Sequence, residues 1–272
     1  MMNTVKTTLL AFTTVLACAQ EPPLTPAPRV LQIYRDSIRP GKQGPYTRIE
    51  MDAAAACARL NFPHPYLTLA SITGLSEVWF LNGYDSLTEM EQIGRAVAAN
   101  GDLSGRLAQV TADKADLVND PRNIFAYYRP DLSGGRGLSA PRTHLFSVAI
   151  ISVVPGKEGE FAEIRKILRG AHRSSNSPEI HSVYQVGSGM REPTFLVFSP
   201  ATSLEDVENS NLLYRSRFEE SLGDTNRKRL AELSASAIAD TEVLLFSVSP
   251  PMSFPAKEWV DADPEFWKPP QL

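Results

Sequence analysis

Cysteine is nearly absent from this chain of 272 residues, which holds only Cys18 and Cys57. Two thiols build none of the common cysteine-rich zinc patterns. Histidine is scarce as well, with His64, His144, His172 and His181 making four. No two of them stand at a metal-ligand spacing such as H-x-x-x-H, so no metal site is expected. Neither G-x-G-x-x-G nor G-x-x-x-x-G-K-[ST] occurs, which removes the nucleotide-binding fingerprints. Gly134-Gly135-Arg136-Gly137 is glycine-rich but has no helix pattern after it. There is no G-x-S-x-G elbow for a hydrolase nucleophile. Positive charge is not in excess: 27 Lys and Arg face 31 Asp and Glu, a formal net charge of −4. No long basic run occurs, so a nucleic-acid footprint is not expected. No apolar stretch reaches the roughly 20 residues that cross a bilayer as a helix. What remains is an ordinary 43% hydrophobic content and 21 prolines gathered near the N-terminus, the middle and the C-terminus. That length suits one large domain or two small ones.

The chain repeats itself. Arg39-Pro40-Gly41-Lys42-Gln43-Gly44-Pro45-Tyr46 returns 115 residues later as Val154-Pro155-Gly156-Lys157-Glu158-Gly159-Glu160-Phe161. Ser86-Leu87-Thr88-Glu89-Met90 returns after 117 as Ser203-Leu204-Glu205-Asp206-Val207. Two correspondences in the same order at nearly the same offset describe one unit used twice, and a repeat constrains the fold before any other signal.

Residues 1–19 read as a secretory signal, with Lys6 ahead of a short apolar run from Leu9 to Ala17 and small residues at its end. Val15-Leu16-Ala17-Cys18 also resembles a bacterial lipobox, in which Cys18 would carry the lipid; ordinary cleavage before Gln20 is the alternative. Either route leads to a periplasmic or extracellular location and leaves Cys57 without an intrachain disulfide partner. Residues 20–29 form a proline-rich spacer that prefers an extended path. The first unit, 30–129, reads as strand, helix, hairpin of two strands, helix broken at Asn100-Gly101, and strand. Ser86 with Glu89 three residues on is a capping box. Residues 130–142 are a glycine- and proline-rich linker, and 143–249 repeat the pattern. The final stretch, 250–272, with Trp259 and Trp267, reads as an irregular tail whose aromatics pack back on the domain.

The order β-α-β-β-α-β is ferredoxin-like. Two such units, with the "PGK" turn before the first helix and the S-L-x-[ED] start of the second, resemble the dimeric α/β-barrel superfamily over residues 30–249. The resemblance implies an α+β fold in which the two units pack sheet to sheet as a pseudo-dimeric barrel. It also implies that no homo-oligomer is required to close the barrel. That superfamily includes antibiotic-biosynthesis-type monooxygenases, EthD-like and NIPSNAP-like proteins, haem enzymes and domains without known activity. A fold alone does not select among them.

If the sheets face each other, alternate strand residues line a cavity. On the first strand Gln32, Tyr34 and Asp36 share one face, expected at the cavity, and Leu31 and Ile33 the other, expected under helices. Trp79 or its neighbours Phe80 and Asn82 are candidates to join the polar face. An ordinary solvated sheet face is the plainer reading of the same pattern. Tyr34, Asp36 and His181 are the catalytic candidates, and Gln32, Trp79 and Asn82 the ligand-binding ones. His64 and His172 are expected at the surface, and His181 is the residue that would ligate a haem, although no cofactor is expected. Cys57, on an apolar helical stripe, is expected to be a buried small hydrophobe. The reading is an exported, non-catalytic or small-ligand-binding protein. The alternative is a cofactor-independent oxygenase or isomerase acting on a small aromatic substrate between the sheets. The expected partner is a small apolar or aromatic ligand, not nucleic acid, and a membrane only through the signal or a lipid on Cys18.

Overall fold

The computed structural model describes residues 27–134, 140–175 and 181–268. The expected signal sequence with Cys18, most of the spacer, the glycine-rich part of the linker and the last four residues lie outside the described residues. The first unit holds β1 (Val30–Ser37), α1 (Gln43–Arg59), β2 (Leu67–Ser71), β3 (Glu77–Tyr84), α2 (Leu87–Ala99), α3 (Gly101–Asp113) and β4 (Arg122–Tyr128). The second holds β5 (Leu145–Val153), α4 (Glu158–Ser174), β6 (Ser182–Ser188), β7 (Thr194–Ala201), α5 (Leu204–Ala237) and β8 (Ile238–Val248). The tail, expected to be irregular, instead forms two short helices, α6 (Lys257–Ala262) and α7 (Pro264–Trp267). Among the described residues no helix is long and apolar enough to cross a membrane.

The repeated motifs have a local physical cause. Gly41 and Gly156 take φ of 77° and 83°, a left-handed conformation that strains residues with a Cβ, and so turn each first strand into its helix. Ser86 Oγ accepts from Glu89 N at 3.1 Å and opens α2, while Glu89 Oε2 accepts from Asp85 N. Ser203 Oγ accepts from Asp206 N at 3.1 Å and opens α5, with Asp206 Oδ2 accepting from Thr202 N at 3.0 Å. Both starts satisfy backbone donors that a helix leaves unpaired. Gly223, at φ 66° and ψ 166°, kinks α5.

The eight strands close into one antiparallel barrel in the order β1-β3-β2-β8-β5-β7-β6-β4. Each unit contributes four neighbouring strands, and the units join where β2 meets β8 and β4 meets β6. Closure leaves no strand edge unpaired. Strand alternation sends Leu31, Ile33, Leu69, Trp79, Ile124, Val148, Leu196 and Phe246 into one apolar cluster that draws on all eight strands, β6 adding Tyr184 and Val186. This is the barrel interior, and the half-buried Trp259 and buried Trp267 of the tail pack against it. Trp267 Nε1 donates to Pro141 O at 2.9 Å.

That arrangement corrects the expected facing of β1. Leu31 and Ile33 point into the barrel, and Gln32, Tyr34 and Asp36 point outward to the side that carries the helices. The physical reason is that a closed barrel shields its interior from water, so it takes a mostly apolar set, to which Arg35 and Glu77 add one buried ion pair. The helix-covered layer has another wall besides the sheet and can satisfy polar groups with side chains from α1 and α3. Trp79 is likewise separated from Phe80 and Asn82. It is fully buried inside, its indole N–H donating to Glu77 Oε2 at 3.0 Å and its ring 5.1 Å from that of Phe246. Arg35 binds Glu77 through two hydrogen bonds of 2.7 and 3.0 Å and lies over the Trp79 ring.

Candidate functional site

The outward face of the first unit is set by strand register. Phe80, Tyr34 and Asn123 stand side by side in one row across β3, β1 and β4. Asn82, Gln32 and Phe125 form the next row, and Tyr84, Val30 and Tyr127 the one after. The β3 side of this grid is covered: Phe80, Asn82 and Tyr84 are buried. The β1–β4 side is open, with Tyr34 43% and Tyr127 41% exposed, Asn123 exposed and Phe125 half-buried. Tyr34 and Tyr127 together, with Phe125 between them on β4, make a contiguous exposed aromatic patch, which is more informative than a single exposed ring. Helix α2 does not close the face. None of its residues is buried, and Met90, Ile93 and Val97 on its apolar stripe remain half-exposed.

A single amide organises the polar atoms of the grid. Gln32 Nε2 donates to Tyr34 Oη at 2.8 Å and to Asn123 Oδ1 at 3.2 Å. Tyr84 directs its hydroxyl toward Gln32 Oε1 at 3.4 Å. Burial holds the Tyr34 phenol above its ordinary value, partly offset by Gln32 and by the positive charge of Lys114. Burial pushes Tyr84 up to about 12, with Tyr34 and Glu89 adding to it. Both rings are therefore neutral hydroxyls at physiological pH. His64, expected at the surface, is instead half-buried, stacked on Tyr84 at 4.5 Å with Nε2 2.8 Å from Gly83 O.

One row deeper, Asp36 is buried and already engaged. Its Oδ2 accepts from Tyr46 Oη and from Lys114 Nζ, both at 2.7 Å. Lys114 Nζ also donates to Glu50 Oε1 at 2.8 Å and sits over the rings of Tyr46 and Phe80. Burial raises the Glu50 carboxyl, and Lys114 pulls it partly back. Burial works against the Lys114 charge, but the two carboxylates outweigh it and the ammonium is held above its ordinary value. Burial, then Glu50 and Asp36, drive the Tyr46 phenol far upward. This cluster holds its own charges together and leaves no carboxylate on the open face. Burial also raises the Cys57 thiol, which is 1% exposed and poor as a nucleophile.

His181 is not part of this assembly. It lies in the helix-covered layer of the second unit, where its Nε2 meets Arg165 Nη2. Burial, then Arg165 and His172, push it down to about 3, so the ring is neutral. His172, expected at the surface, is half-buried against Phe218, with ring centres 4.6 Å apart. The structure thus brings Gln32, Tyr34 and Asn82 onto one face with Asp36 shielded beneath. It sends Trp79 inside and His181 to the other unit. Asn123, Phe125 and Tyr127 escaped the sequence reading. Alternation along β4 does place the three on one side, but only the β1–β4 register shows that this side adjoins Tyr34.

No protein-family model matches the sequence, and no curated protein matches it. Solved structures do resemble it. A "Putative monooxygenase" from Fusobacterium nucleatum superposes with a TM-score of 0.52 at 12% identity, over 82% of this chain and 93% of that one. An anthrone oxidase-like protein superposes with a TM-score of 0.54 at 13% identity, over 84% and 94%. At such identities the likeness is one of fold, and the fold is the dimeric α/β barrel with both halves supplied by one chain.

Proposed function

We propose that this protein binds a small aromatic molecule on the open outward face of β1 and β4. The observation that carries the reading is the patch of exposed Tyr34 and Tyr127 with half-buried Phe125, left uncovered by the described residues, beside an amide network. A contiguous exposed aromatic patch marks an interaction site, and a few placed polar groups fix the orientation of what binds there. Gln32 is the organiser, Tyr34 the contact residue, and Asn82 a buried support for Gln32 in the same row. Binding of naphthalene-ring compounds to the full chain by equilibrium dialysis tests this. Phe125→Asp and Tyr127→Asp, which place charge where a ring would lie, are expected to weaken binding about tenfold, equivalent to about 1.4 kcal/mol. Unchanged binding in both variants would overturn the assignment.

A second reading is a cofactor-independent oxygenase or isomerase at the same face. Its support is that hydroxyl and amide groups beside an aromatic face could stabilise an oxyanion once a bound substrate has excluded water from them. The neighbours in fold carry oxygenase and oxidase names, which supplies an analogy and no more. Oxygen uptake with an aromatic ketone, compared between the native chain and Tyr34→Phe, tests it. Uptake that Tyr34→Phe leaves unchanged would rule out the oxygenase at this face. Export through residues 1–19 is proposed with either reading, and the mass of the mature N-terminus decides between cleavage before Gln20 and lipidation of Cys18.

A further inference from the structure

The barrel has two unlike ends. At one, where β1 finishes and β3 begins, Arg35 binds Glu77. At the other, Leu31, Leu67, Phe146, Tyr184, Phe198 and Val248 belong to the last inward layer, and the tail lies across them. The tail is fastened differently along its length. Residues 249–254 are bonded to β2 and the residue before it. Tyr66 and Phe254 exchange backbone hydrogen bonds of 2.9 and 3.1 Å. Ser253 Oγ accepts from Thr68 N at 2.9 Å, and Thr68 Oγ1 donates to Met252 O at 2.7 Å. From residue 255 to 268, every backbone hydrogen bond among the described residues closes within the tail. Helices α6 and α7 have six and four residues, too few to stand without packing, since isolated helices below roughly 12–15 residues are marginal.

The far end of the tail is held by side chains. His144 Nε2 lies 2.9 Å from Asp263 Oδ2, and the His144 ring stacks on Phe266 with centres 3.8 Å apart. Trp267 Nε1 donates to Pro141 O. His144 is itself fixed to the barrel, its N–H donating to Ala201 O at 3.0 Å and its carbonyl accepting from Val248 N at 2.8 Å. We propose that residues 255–268 are a lid over this end of the barrel, hinged after Phe254 and latched on His144. Trp267, 4% exposed, is the wedge that keeps it shut. The lid is amphipathic in the sense a cover requires: Trp259, Val260 and Phe266 are half-buried against the interior, and Lys257, Glu258, Asp261 and Glu265 are exposed. A segment with backbone bonds at its hinge and side-chain contacts at its far end can open as a unit, because opening breaks no strand pairing. It uncovers the apolar layer beneath, so this end of the interior is reachable while the lid is open. The lid is independent of the β1–β4 face.

Two indole N–H groups report on the lid and on the barrel separately. That of Trp267 is bonded to Pro141 O across the latch, and that of Trp79 to Glu77 inside the barrel. Hydrogen exchange of both, followed by NMR on the full chain, tests the proposal. The Trp267 N–H is expected to exchange at least about 100-fold faster than that of Trp79, since a lid opens without the barrel unfolding. His144→Ala removes the stack and the contact with Asp263. It should speed Trp267 exchange about tenfold and leave Trp79 unchanged, which also shows that the variant is folded. Equal rates for the two indoles in the native chain would overturn the lid, because the tail would then open only with the barrel. Trp267 exchange that His144→Ala leaves unchanged would overturn the latch. If His144→Ala speeds both indoles alike, the tail is part of the barrel core and the proposal fails.

Discussion

The two units share a backbone and differ in what they set upon it. Helices α1 and α4 are both 17 residues long and align at the offset of the repeat. Tyr46 corresponds to Phe161, Glu50 to Arg165 and Cys57 to His172. Where the first unit buries two carboxylates around a lysine, the second buries a guanidinium beside a neutral imidazole. The sheet faces diverge as much. The row Phe80, Tyr34, Asn123 is matched by Val197, Ala149, Val243, and Asn82, Gln32, Phe125 by Ser199, Ser147, Leu245. The second grid has neither aromatic nor amide. The units agree at their turns and caps, and both send apolar residues into the barrel interior. The helix-covered layers differ, because any mutually satisfied set of groups can fill them.

The comparison breaks first at Lys114. Lys114→Met leaves Asp36 and Glu50 buried without their cation, and the expected loss is about 3–5 kcal/mol in urea unfolding at neutral pH. A loss below about 1 kcal/mol would mean that the cluster is solvated and that the units differ less than their contacts suggest.

The two layers should also respond to acid in opposite directions. Glu50 has a raised carboxyl in the folded chain, so its contribution to stability is present at low pH and is lost as pH rises through that raised value. His181 is lowered to about 3, so its contribution is present above the ordinary histidine value near 6.5 and is lost as pH falls from there toward about 3. Glu50→Gln should flatten the first dependence and leave the second. Arg165→Met should raise the His181 value, followed through its ring proton shifts by NMR. An unmoved His181 would show that burial alone sets it.

A smaller effect is expected from Tyr46→Phe, which makes the first unit resemble the second at that position. It removes the hydroxyl donated to Asp36 and should cost about 1–3 kcal/mol, whereas Phe161→Tyr gains no equivalent carboxylate. The smallest effects should be equal in the two units. Ser86→Ala and Ser203→Ala each remove one helix cap and should each cost about 1 kcal/mol in thermal unfolding. Unequal losses would show that one helix start depends on tertiary packing more than on its cap.

Much of the fold was legible because its signals are local. The Gly41 and Gly156 turns, the Ser86 and Ser203 caps and the alternation in β1 each depend on a few neighbouring residues. Their repetition at one offset specifies two like units. The facing of β1 was not legible. Alternation separates Leu31 and Ile33 from Gln32, Tyr34 and Asp36, but it does not say which set faces a closed barrel and which faces helices. Grouping Trp79 with Asn82 was open to correction from the sequence alone, since residues three apart on a strand point to opposite sides. The participation of Asn123 and Lys114 depends on pairings 89 and 78 residues away from Tyr34 and Asp36. Such distant partners leave no trace in local spacing.

The divergence between the two grids has a consequence for counting. A barrel closed by two identical chains repeats every surface by symmetry, so a site on one half is present on both. Here the counterpart of Tyr34 is Ala149 and that of Gln32 is Ser147. The stoichiometry should therefore be one molecule per chain, with a hyperbolic saturation curve and no cooperativity within the barrel. A titration that ended at two equivalents would mean that the second half has a use of its own.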